Sequence, residues 1–470
     1  MNKKLFIKEY AKAVYEGNAA VFAGAGTSVG AGFVDWRTLV EPFANELNLD
    51  ISKEKDLVRV TQYYVNSKGG RRGNISNKII DEFSQNGKIT DTLELLTRLP
   101  ISTYWTTNYD QNIEKSLENQ NRKADVKKQQ EDLAISLRDR DAVVYKMHGD
   151  VTLPNKAIIT KDDYEMYNET HSLFTTALKG DLVSKTFLFV GFSFEDPNLD
   201  DILGKIRVLL EKDNREHYCL LKKVELKDFN NSNEDFNAAK VRQELRIEDL
   251  KRYGIETILL DSYDEIPKLL SEIERIYLNK TIFISGSIAT YPEHWLEKEV
   301  NTFCYNLSKA IVSDGYKVIS GFGIGIGSSV INGALDEIFL SKYKHINEHL
   351  SLYPFPQIEG GEKSLKERWT ENRNVMISNS GICIFMFGNK VKNGKNVIAD
   401  GMLEEFEIAK ELGKIIIPIG NTAEAANEIF RIMKEEKELH SYLEDFWNIL
   451  EDGKTNDVIS KISEIIKQQQ

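Results

Sequence analysis

Short apolar runs alternate with longer amphipathic segments along the whole chain. Most of the runs end in glycine or small polar residues, as buried parallel strands do where they meet a loop. The segments between them carry apolar residues at helical spacing. The runs that we predict to be strands lie at residues 21–23, 99–104, 143–147, 186–191, 217–221, 256–260, 281–287, 317–320, 382–388 and 415–419. This alternation predicts an α/β fold in which parallel sheets carry helices on both faces.

The run at residues 281–287 begins the pattern a second time. It follows a helical segment at 266–278 and again leads into small residues, Gly286 and Ser287. A chain of 470 residues is also too long for one ordinary core. We therefore predict two doubly wound parallel-sheet domains, residues 1–279 and 280–470.

The composition is typical of a soluble globular protein. Hydrophobic residues make up 41% of the chain and charged residues 29%. The net charge of −12 disfavours sequence-independent binding to nucleic acid, which depends on positive charge. No apolar run approaches the ~20 residues of a membrane span, and the N-terminal segment lacks a signal-peptide core. We expect a cytoplasmic protein that binds neither nucleic acid nor membrane. The charge-rich segment at 118–140 is expected to be a solvated surface.

The only cysteines are Cys219, Cys304 and Cys383. Because they are scattered and odd in number, they can form neither a disulfide framework nor a four-cysteine zinc site within one chain. We expect them to be small buried hydrophobic residues and predict no metal site.

A glycine-rich turn follows the first predicted strand. Its small residues are Gly24, Ala25, Gly26 and Ser28. Glycine here would let backbone N–H groups approach a pyrophosphate closely, and a helix starting beyond the turn would add its positive end. The same spacing also occurs in tight turns that bind nothing, so the turn alone leaves both interpretations open.

Polar residues also follow two later strands. Asn108 and Asp110 come after the run at 99–104, and His148 ends the run at 143–147. An imidazole with a pKa of about 6.5 can act as a base at neutral pH, and an amide can donate to or accept from water or a hydroxyl. A histidine before glycine is also commonly structural, and Asp110 could simply cap a helix.

The order of these motifs, closed by Gly191 and Ser193 after the run at 186–191, resembles the sirtuin family. The resemblance implies a Rossmann-like domain that binds NAD+, with Asn108 and His148 as catalytic residues at the reacting ribose and Asp110 beside the nicotinamide amide. It implies further NAD+ contacts from the phosphate loop, from a turn that covers the nicotinamide and from a ribose-side strand end. These residues are Gly24, Ala25, Gly26, Ser28, Asp35, Arg37, Gly191 and Ser193.

The chain departs from protein-deacylating sirtuins in one respect. Those enzymes carry a zinc ribbon with two Cys-x-x-Cys pairs, and this sequence has no such pair. Without the platform for acyl-lysine, water becomes the expected acceptor, and the reaction becomes hydrolysis of NAD+ to ADP-ribose and nicotinamide. NAD+ is then the substrate, and no separate cofactor is implied.

The second domain resembles the SLOG superfamily, which is Rossmann-like and includes nucleotide phosphoribohydrolases. Arg373 and Glu405 match conserved positions of its two motifs, whereas the Pro-Gly-Gly and Thr of its phosphate loop are missing. The resemblance therefore implies a pocket that binds an anionic nucleotide without cleaving it. Arg373 and Lys390 are the candidate phosphate ligands, although either could be an ordinary surface residue. The full predicted set is Gly286, Ser287, Gly323, Gly325, Arg373, Lys390 and Glu405.

A zinc-free sirtuin-like domain followed by a SLOG domain resembles the NAD-cleaving effectors of bacterial Thoeris anti-phage defence. That resemblance implies an NAD+ glycohydrolase that is switched on when a cyclic ADP-ribose isomer, made by a partner TIR-domain protein, binds the SLOG domain. It also implies a homotetramer or larger assembly. Two alternatives stay open, a zinc-free protein deacylase and a non-catalytic sensor of ADP-ribose-type nucleotides.

Overall fold

The computed structural model describes residues 2–85, 87–192, 194, 197–210, 215–292, 294–342, 344–358 and 362–469. The chain forms two compact units, Met1–Glu274 and Arg275–Gln470. Within the described ranges, no helix is both long and apolar enough to cross a membrane. Each unit is built around its own parallel sheet, which confirms the predicted fold class.

The first unit alternates strands and helices. Its strands are β1 (Ala19–Ala23), β2 (Thr103–Thr106), β3 (Ala124–Lys127), β4 (Ala142–Lys146), β5 (Thr186–Val190), β6 (His217–Lys222) and β7 (Ile255–Leu260). Its helices are α1 (Lys3–Tyr15), α2 (Ala25–Val29), α3 (Trp36–Glu46), α4 (Leu57–Ser67), α5 (Gly73–Phe83), α6 (Asp91–Arg98), α7 (Asn112–Asn119), α8 (Lys161–Glu165), α9 (Tyr167–Thr170), α10 (Ser172–Ser184), α11 (Pro197–Leu210), α12 (Asn233–Arg252) and α13 (Ile266–Leu278), which ends in the second unit.

The sheet of the first unit has the order β3-β4-β2-β1-β5-β6-β7, with every neighbouring pair parallel. β1 lies in the middle, between β2 and β5. The chain moves to one side of β1 for β2 to β4 and to the other side for β5 to β7, so the strand order reverses at β1. Open α/β sheets bind ligands at such a point, outside the carboxyl ends of the strands.

β1 occupies the centre of the sheet because all of its residues are apolar and can be buried on both faces. All five residues of Ala19–Ala23 are buried. Phe22 packs against Phe189 of β5 and against Phe192, with ring centroids 5.4 and 4.9 Å apart. These aromatic contacts fix the tips of β1 and β5 beside each other.

The prediction of a solvated surface at 118–140 was wrong for part of that segment. β3 lies there, and the side chains of Asp125 and Lys127 are buried. Lys127 Nζ donates to Asp125 at 2.7 Å, and Arg140 donates to the other oxygen of the same carboxylate at 2.7 Å. Because the charges are paired with one another, they can be buried in an edge strand.

The second unit repeats the architecture on a smaller scale. Its strands are β8 (Thr281–Ser287), β9 (Lys317–Ser320), β10 (Leu350–Leu352), β11 (Ile382–Phe387), β12 (Asn389–Lys392), β13 (Lys395–Ile398) and β14 (Ile415–Pro418). Its helices are α14 (Glu297–Ser313), α15 (Gly327–Leu340), α16 (Ile346–His349), α17 (Leu365–Ser378), α18 (Asp400–Glu411), α19 (Glu424–Glu435), α20 (Trp447–Asp452) and α21 (Thr455–Gln468).

The main sheet of this unit is parallel, in the order β10-β9-β8-β11-β14. β8 and β11 lie at its centre, and the residues of β11 are all buried. β12 and β13 form a separate antiparallel hairpin. The candidate phosphate ligand Lys390 lies on β12 of this hairpin.

Candidate active site

A cavity of about 770 Å³ opens at the carboxyl edge of the first sheet. Its walls include residues that follow β1, β2, β4 and β5, the strands around the reversal in strand order. Seven of the predicted NAD+-site residues line it, namely Ala25, Gly26, Ser28, Asp35, Asn108, His148 and Gly191. The fold thus brings together side chains that are far apart in sequence, as the strand-end argument requires.

Asn108 is held by its amide nitrogen. The Nδ2 group donates to the Gly24 carbonyl at 3.0 Å and to Thr27 Oγ1 at 3.1 Å, and the backbone N–H donates to Thr106 Oγ1 at 3.0 Å. Because a carbonyl can only accept, the amide orientation is fixed. No described residue donates to Asn108 Oδ1, which leaves this oxygen as the acceptor that Asn108 offers to a ligand.

His148 lies in the turn that follows β4. Its imidazole is buried, and its backbone carbonyl accepts from the Ile158 N–H at 3.0 Å. The ring meets Tyr164 edge to face, with centroids 5.5 Å apart, and Tyr167 at 6.5 Å. The next residue, Gly149, has a φ of +92°, which only glycine adopts at low cost. Aromatic packing and this turn therefore fix the direction of the imidazole.

The glycines that follow β1 allow two backbone segments to pack closely. A Cβ on Gly26 would lie 2.8 Å from Gly191 Cα, and one on Gly24 would collide with the Gly191 carbonyl. Gly191 itself has a φ of +64°. The Gly26 N–H donates to the Gly191 carbonyl at 2.9 Å. The missing side chains thus allow the loops after β1 and β5 to cross in direct contact, a reason that the sequence argument about pyrophosphate did not include.

Gly24, Arg37 and Asp110, three of the four remaining predicted residues, are not among the residues that line the cavity. Asp110 is buried; its carboxylate accepts from Ser28 Oγ and from the N–H of Asn112, the first residue of α7. Arg37 is exposed and donates to the carbonyls of Ile51 and Glu54. Gly24 lies behind the lining, and Ser193 is outside the described residues. Asp110 therefore contacts the cavity through Ser28.

Other lining residues were missed by sequence reasoning. They include Lys55, Lys161, Tyr164 and Glu165. Lys161 and Tyr164 lie on α8, which begins with a capping box between Thr160 and Asp163. That capping box is readable in the sequence as Thr-x-x-Asp, but nothing in the sequence indicates that α8 faces the cavity. Lys55 and Lys161 bring positive charge to a lining that also holds the acidic residues Asp35, Asp56 and Glu165, and Lys161 pairs with Glu165 at 3.3 Å.

The predicted nucleotide site of the second unit contains a charged cluster. Arg373 of α17 lies 2.9 Å from Glu404 and 3.5 Å from Glu405, both on α18, and its guanidinium stacks 5.0 Å from the Phe355 ring. Glu405 also accepts a hydrogen bond from Ser285 of β8. Burial raises the pKa of Glu405 to about 7. Arg373 and Glu405 are thus direct neighbours.

The other predicted residues of this unit lie at the tips of β8, β9 and β12. A Cβ on Gly286 would lie 2.5 Å from the Met386 carbonyl, and one on Gly323 or Gly325 would collide with carbonyls of the β8 tip. Ser287 Oγ donates to the Asn389 carbonyl at 3.0 Å. Lys390 pairs with Asp400, and the adjacent Gly401 has no side chain because Arg373 Nη2 lies 2.5 Å from the position of its Cβ. Lys390 and Arg373 therefore flank the start of α18.

The fold and the family models that match it define a class of protein in which a SIR2-like unit precedes a SLOG unit. Residues 102–258 match the SIR2-like domain, and residues 265–469 match the Sir2- and TIR-associating SLOG family. The NAD(+) hydrolase ThsA of Bacillus cereus (strain MSX-D12) is 47% identical over 93% of this chain and 90% of its own length. That of Cytobacillus dafuensis is 44% identical over 90% and 86%. The chain belongs to the NAD(+) hydrolase ThsA family.

A third relative matches over a shorter stretch. Defense-associated sirtuin 2 of Bacillus subtilis is 27% identical over 43% of this chain and 20% of its own length.

Proposed function

We propose that the cavity of the first unit hydrolyses NAD+ to ADP-ribose and nicotinamide. The observation that carries the proposal is the convergence of Asn108 and His148 on one cavity of about 770 Å³, a size suited to a dinucleotide-scale ligand. The ThsA relatives, named as NAD(+) hydrolases, support the same substrate. The reaction breaks the bond between nicotinamide and the ribose carbon.

The side chains suit this chemistry. Water attacks the ribose carbon, the electron pair of the broken bond leaves with nicotinamide, and the proton of the water passes to the His148 imidazole. Asn108 Oδ1 accepts from the attacking water or from a ribose hydroxyl and so holds it in line. Lys55 and Lys161 also line the cavity and would supply positive charge for the pyrophosphate, Lys161 by exchanging its partner Glu165 for a phosphate oxygen.

We further propose that a cyclic ADP-ribose isomer, produced by a TIR-domain partner, activates the enzyme by binding the second unit. The match to a Sir2- and TIR-associating family supports such a partner. The ligand phosphates would compete with Glu404 for Arg373 and with Asp400 for Lys390. Moving an equilibrium from 1:99 to 99:1 requires about 5.5 kcal/mol of differential affinity, to which these two exchanges would contribute together with the other contacts of the ligand.

In this proposal the protein depletes NAD+ during phage infection, as an effector of Thoeris defence, and it acts as a homotetramer or larger assembly. The relative named as a defence-associated sirtuin supports the first part. For the second part, the adjacent Phe339 and Leu340 of α15 are 70% and 74% exposed, and we propose that they lie in a contact between copies of the chain. Light scattering of the purified chain measures the assembly.

The test is nicotinamide release from NAD+, measured with and without cyclic ADP-ribose isomers. We expect release that rises with the isomer and falls at least about 100-fold in His148→Ala and in Asn108→Ala, since each removes a group that acts on the reacting atoms. Arg373→Ala should retain basal release and lose the response. Binding of ADP-ribose without any release would identify a non-catalytic sensor instead, and release only with acyl-lysine peptide would identify a deacylase.

A further inference from the structure

A cluster of buried charges lies behind the cavity, between the loops that follow β2 and β4. Its centre is Lys146, the last residue of β4, which is 1% exposed. Lys146 Nζ donates to the backbone carbonyl of Asp110 and lies 3.4 Å from Glu114 of α7 and 3.5 Å from Asp150. Neither Lys146 nor its three partners is among the residues that line the cavity.

The partners of Lys146 are themselves fixed. Asp150 also accepts from Lys128 at 3.0 Å and from the Thr152 backbone N–H at 3.0 Å, and the Asp110 carboxylate accepts from Ser28. Burial raises the pKa of Glu114, whereas Lys146, Thr152 and Lys128 hold the pKa of Asp150 below its ordinary value against its desolvation. The positive charge of Lys146 thus interacts with three carboxylates, those of Glu114, Asp150 and Asp110.

The position of Lys146 along the chain shows which two segments the cluster joins. Lys146 is two residues before His148, and the carbonyl that it binds belongs to Asp110, two residues after Asn108. A single side chain therefore ties the segment that carries the proposed base to the segment that carries the proposed amide. A buried ion pair is weak support for stability, since its desolvation offsets its attraction, but it does select one arrangement of the groups that it joins.

We propose that Lys146 is a positioning residue that holds His148 and Asn108 in the relative position that NAD+ hydrolysis requires. The proposal rests on the function proposed above, and it goes beyond it by assigning a role to a residue outside the cavity. Without the ammonium group, Lys128 would be the remaining cation beside the buried carboxylates Glu114 and Asp150, and repulsion between the ionised carboxylates would separate the segments that Lys146 joins.

The experiment compares three variants of the full chain. Lys146→Met removes the charge and keeps the length, and Lys146→Met/Glu114→Gln also removes one of the carboxylates. Lys127→Met is the matched control, because Lys127 is a buried lysine of the adjacent strand β3 that pairs with Asp125 and lies outside the cavity lining. Each variant is assayed for nicotinamide release between pH 6 and 8 and for amide hydrogen exchange.

We expect Lys146→Met to lower kcat at least about tenfold at pH 8 while KM changes less than about threefold, because a small displacement of reacting groups has such effects. Its kcat should fall further with rising pH as Glu114, whose pKa is raised by burial, loses its proton beside Asp150, with Lys128 as the remaining cation. The double variant should recover most of kcat and lose this pH dependence. Lys127→Met should lower only the melting temperature.

Hydrogen exchange separates this proposal from the function on which it rests. In Lys146→Met, exchange should accelerate in both segments 107–112 and 147–152, whether or not the protein hydrolyses NAD+. Wild-type protein that releases no nicotinamide would refute the proposed function. Unchanged exchange in these segments, or a kcat for Lys146→Met equal to that of the control, would refute the positioning role.

Discussion

Gly191 lines the candidate active site at a position where only glycine fits. Its backbone has a φ of +64°, and a Cβ at this position would lie 2.6 Å from the Thr27 N–H and 2.9 Å from the Gly26 carbonyl carbon. Both neighbours are backbone atoms of α2, other residues of which line the cavity, so they cannot move aside without moving this helix. Conformation and space therefore both require glycine here.

We expect Gly191→Ala to reduce nicotinamide release at least about tenfold and to lower the free energy of unfolding by roughly 1–3 kcal/mol, since it combines strain with displacement of the turn. Circular dichroism during thermal unfolding and the nicotinamide assay measure the two effects. Gly180→Ala is the control: Gly180 lies within α10 with nothing near its Cβ position, so alanine there should leave activity unchanged and stability equal or higher. Equal behaviour of the two variants would contradict the packing argument.

Sequence reasoning could find Asn108 and His148 because each follows an apolar run whose end marks the edge of a sheet. It could not find Lys55, Lys161 or Tyr164, because they belong to segments whose position over the cavity depends on tertiary packing. For Asp110 the sequence left two roles open, a contact to the nicotinamide amide and a helix cap. Its carboxylate accepts from Asn112 at the start of α7 and from Ser28, and a sequence does not show which of several acceptable partners a carboxylate will find.

At the scale of secondary structure, strands of continuous apolar residues were predictable and polar ones were not. β1 and β11 were evident from their composition, since strands buried on both faces must be apolar. β3 was missed because Asp125 and Lys127 suggest a solvated surface unless their mutual pairing is known. The hairpin of β12 and β13 was missed for the same reason, because its charged residues lie on an exposed two-stranded ribbon.

The side chain of Glu405 is enclosed by three elements, and its burial predicts how the stability of the protein depends on pH. β8, α17 and α18 enclose this carboxyl, and burial raises its pKa from 4.5 to about 7. Between those two values the folded protein keeps a proton that the unfolded chain releases, so this group makes the protein less stable as the pH rises from 4.5 to 7. The loss is complete above pH 7 and amounts to roughly 3 kcal/mol.

Glu405→Gln should therefore be stabilised relative to the wild type at pH 8 and close to it at pH 5. The amide keeps an acceptor for Ser285 without a charge to desolvate. Thermal unfolding midpoints of the full chain at several pH values test this, and only the difference between the two proteins matters, because other carboxyl groups titrate in both. A difference that is the same at pH 5 and pH 8 would show that Glu405 does not titrate in this window.

At the scale of the whole molecule, the two α/β units could be predicted because the strand–helix alternation restarts at residue 281. The strand orders were not predictable, since composition does not show on which side of β1 or β8 each later strand is added. Each unit has its own hydrophobic core: the described core residues from 282 to 466 form one cluster, and those of the first unit form others. Separate cores imply separate cooperative unfolding.

The three cysteines can report on this separation. Cys219 is buried in the first unit, and Cys304 and Cys383 are buried in the second. Burial raises the pKa of each thiol to about 12, so almost no reactive thiolate is present at pH 8. We expect no reaction of the native chain with an aromatic disulfide reagent at that pH, and reaction of all three thiols in strong denaturant.

Because the thiols are divided one and two between the units, the number that reacts identifies which core has opened. As denaturant rises, we expect modification in two steps, one of a single thiol and one of a pair, rather than of three together. Cys219→Ser should remove the single step and leave the pair intact. A simultaneous reaction of all three thiols, or a thiol that reacts in the native chain, would contradict independent cores, since each thiol becomes accessible only when the core around it unfolds.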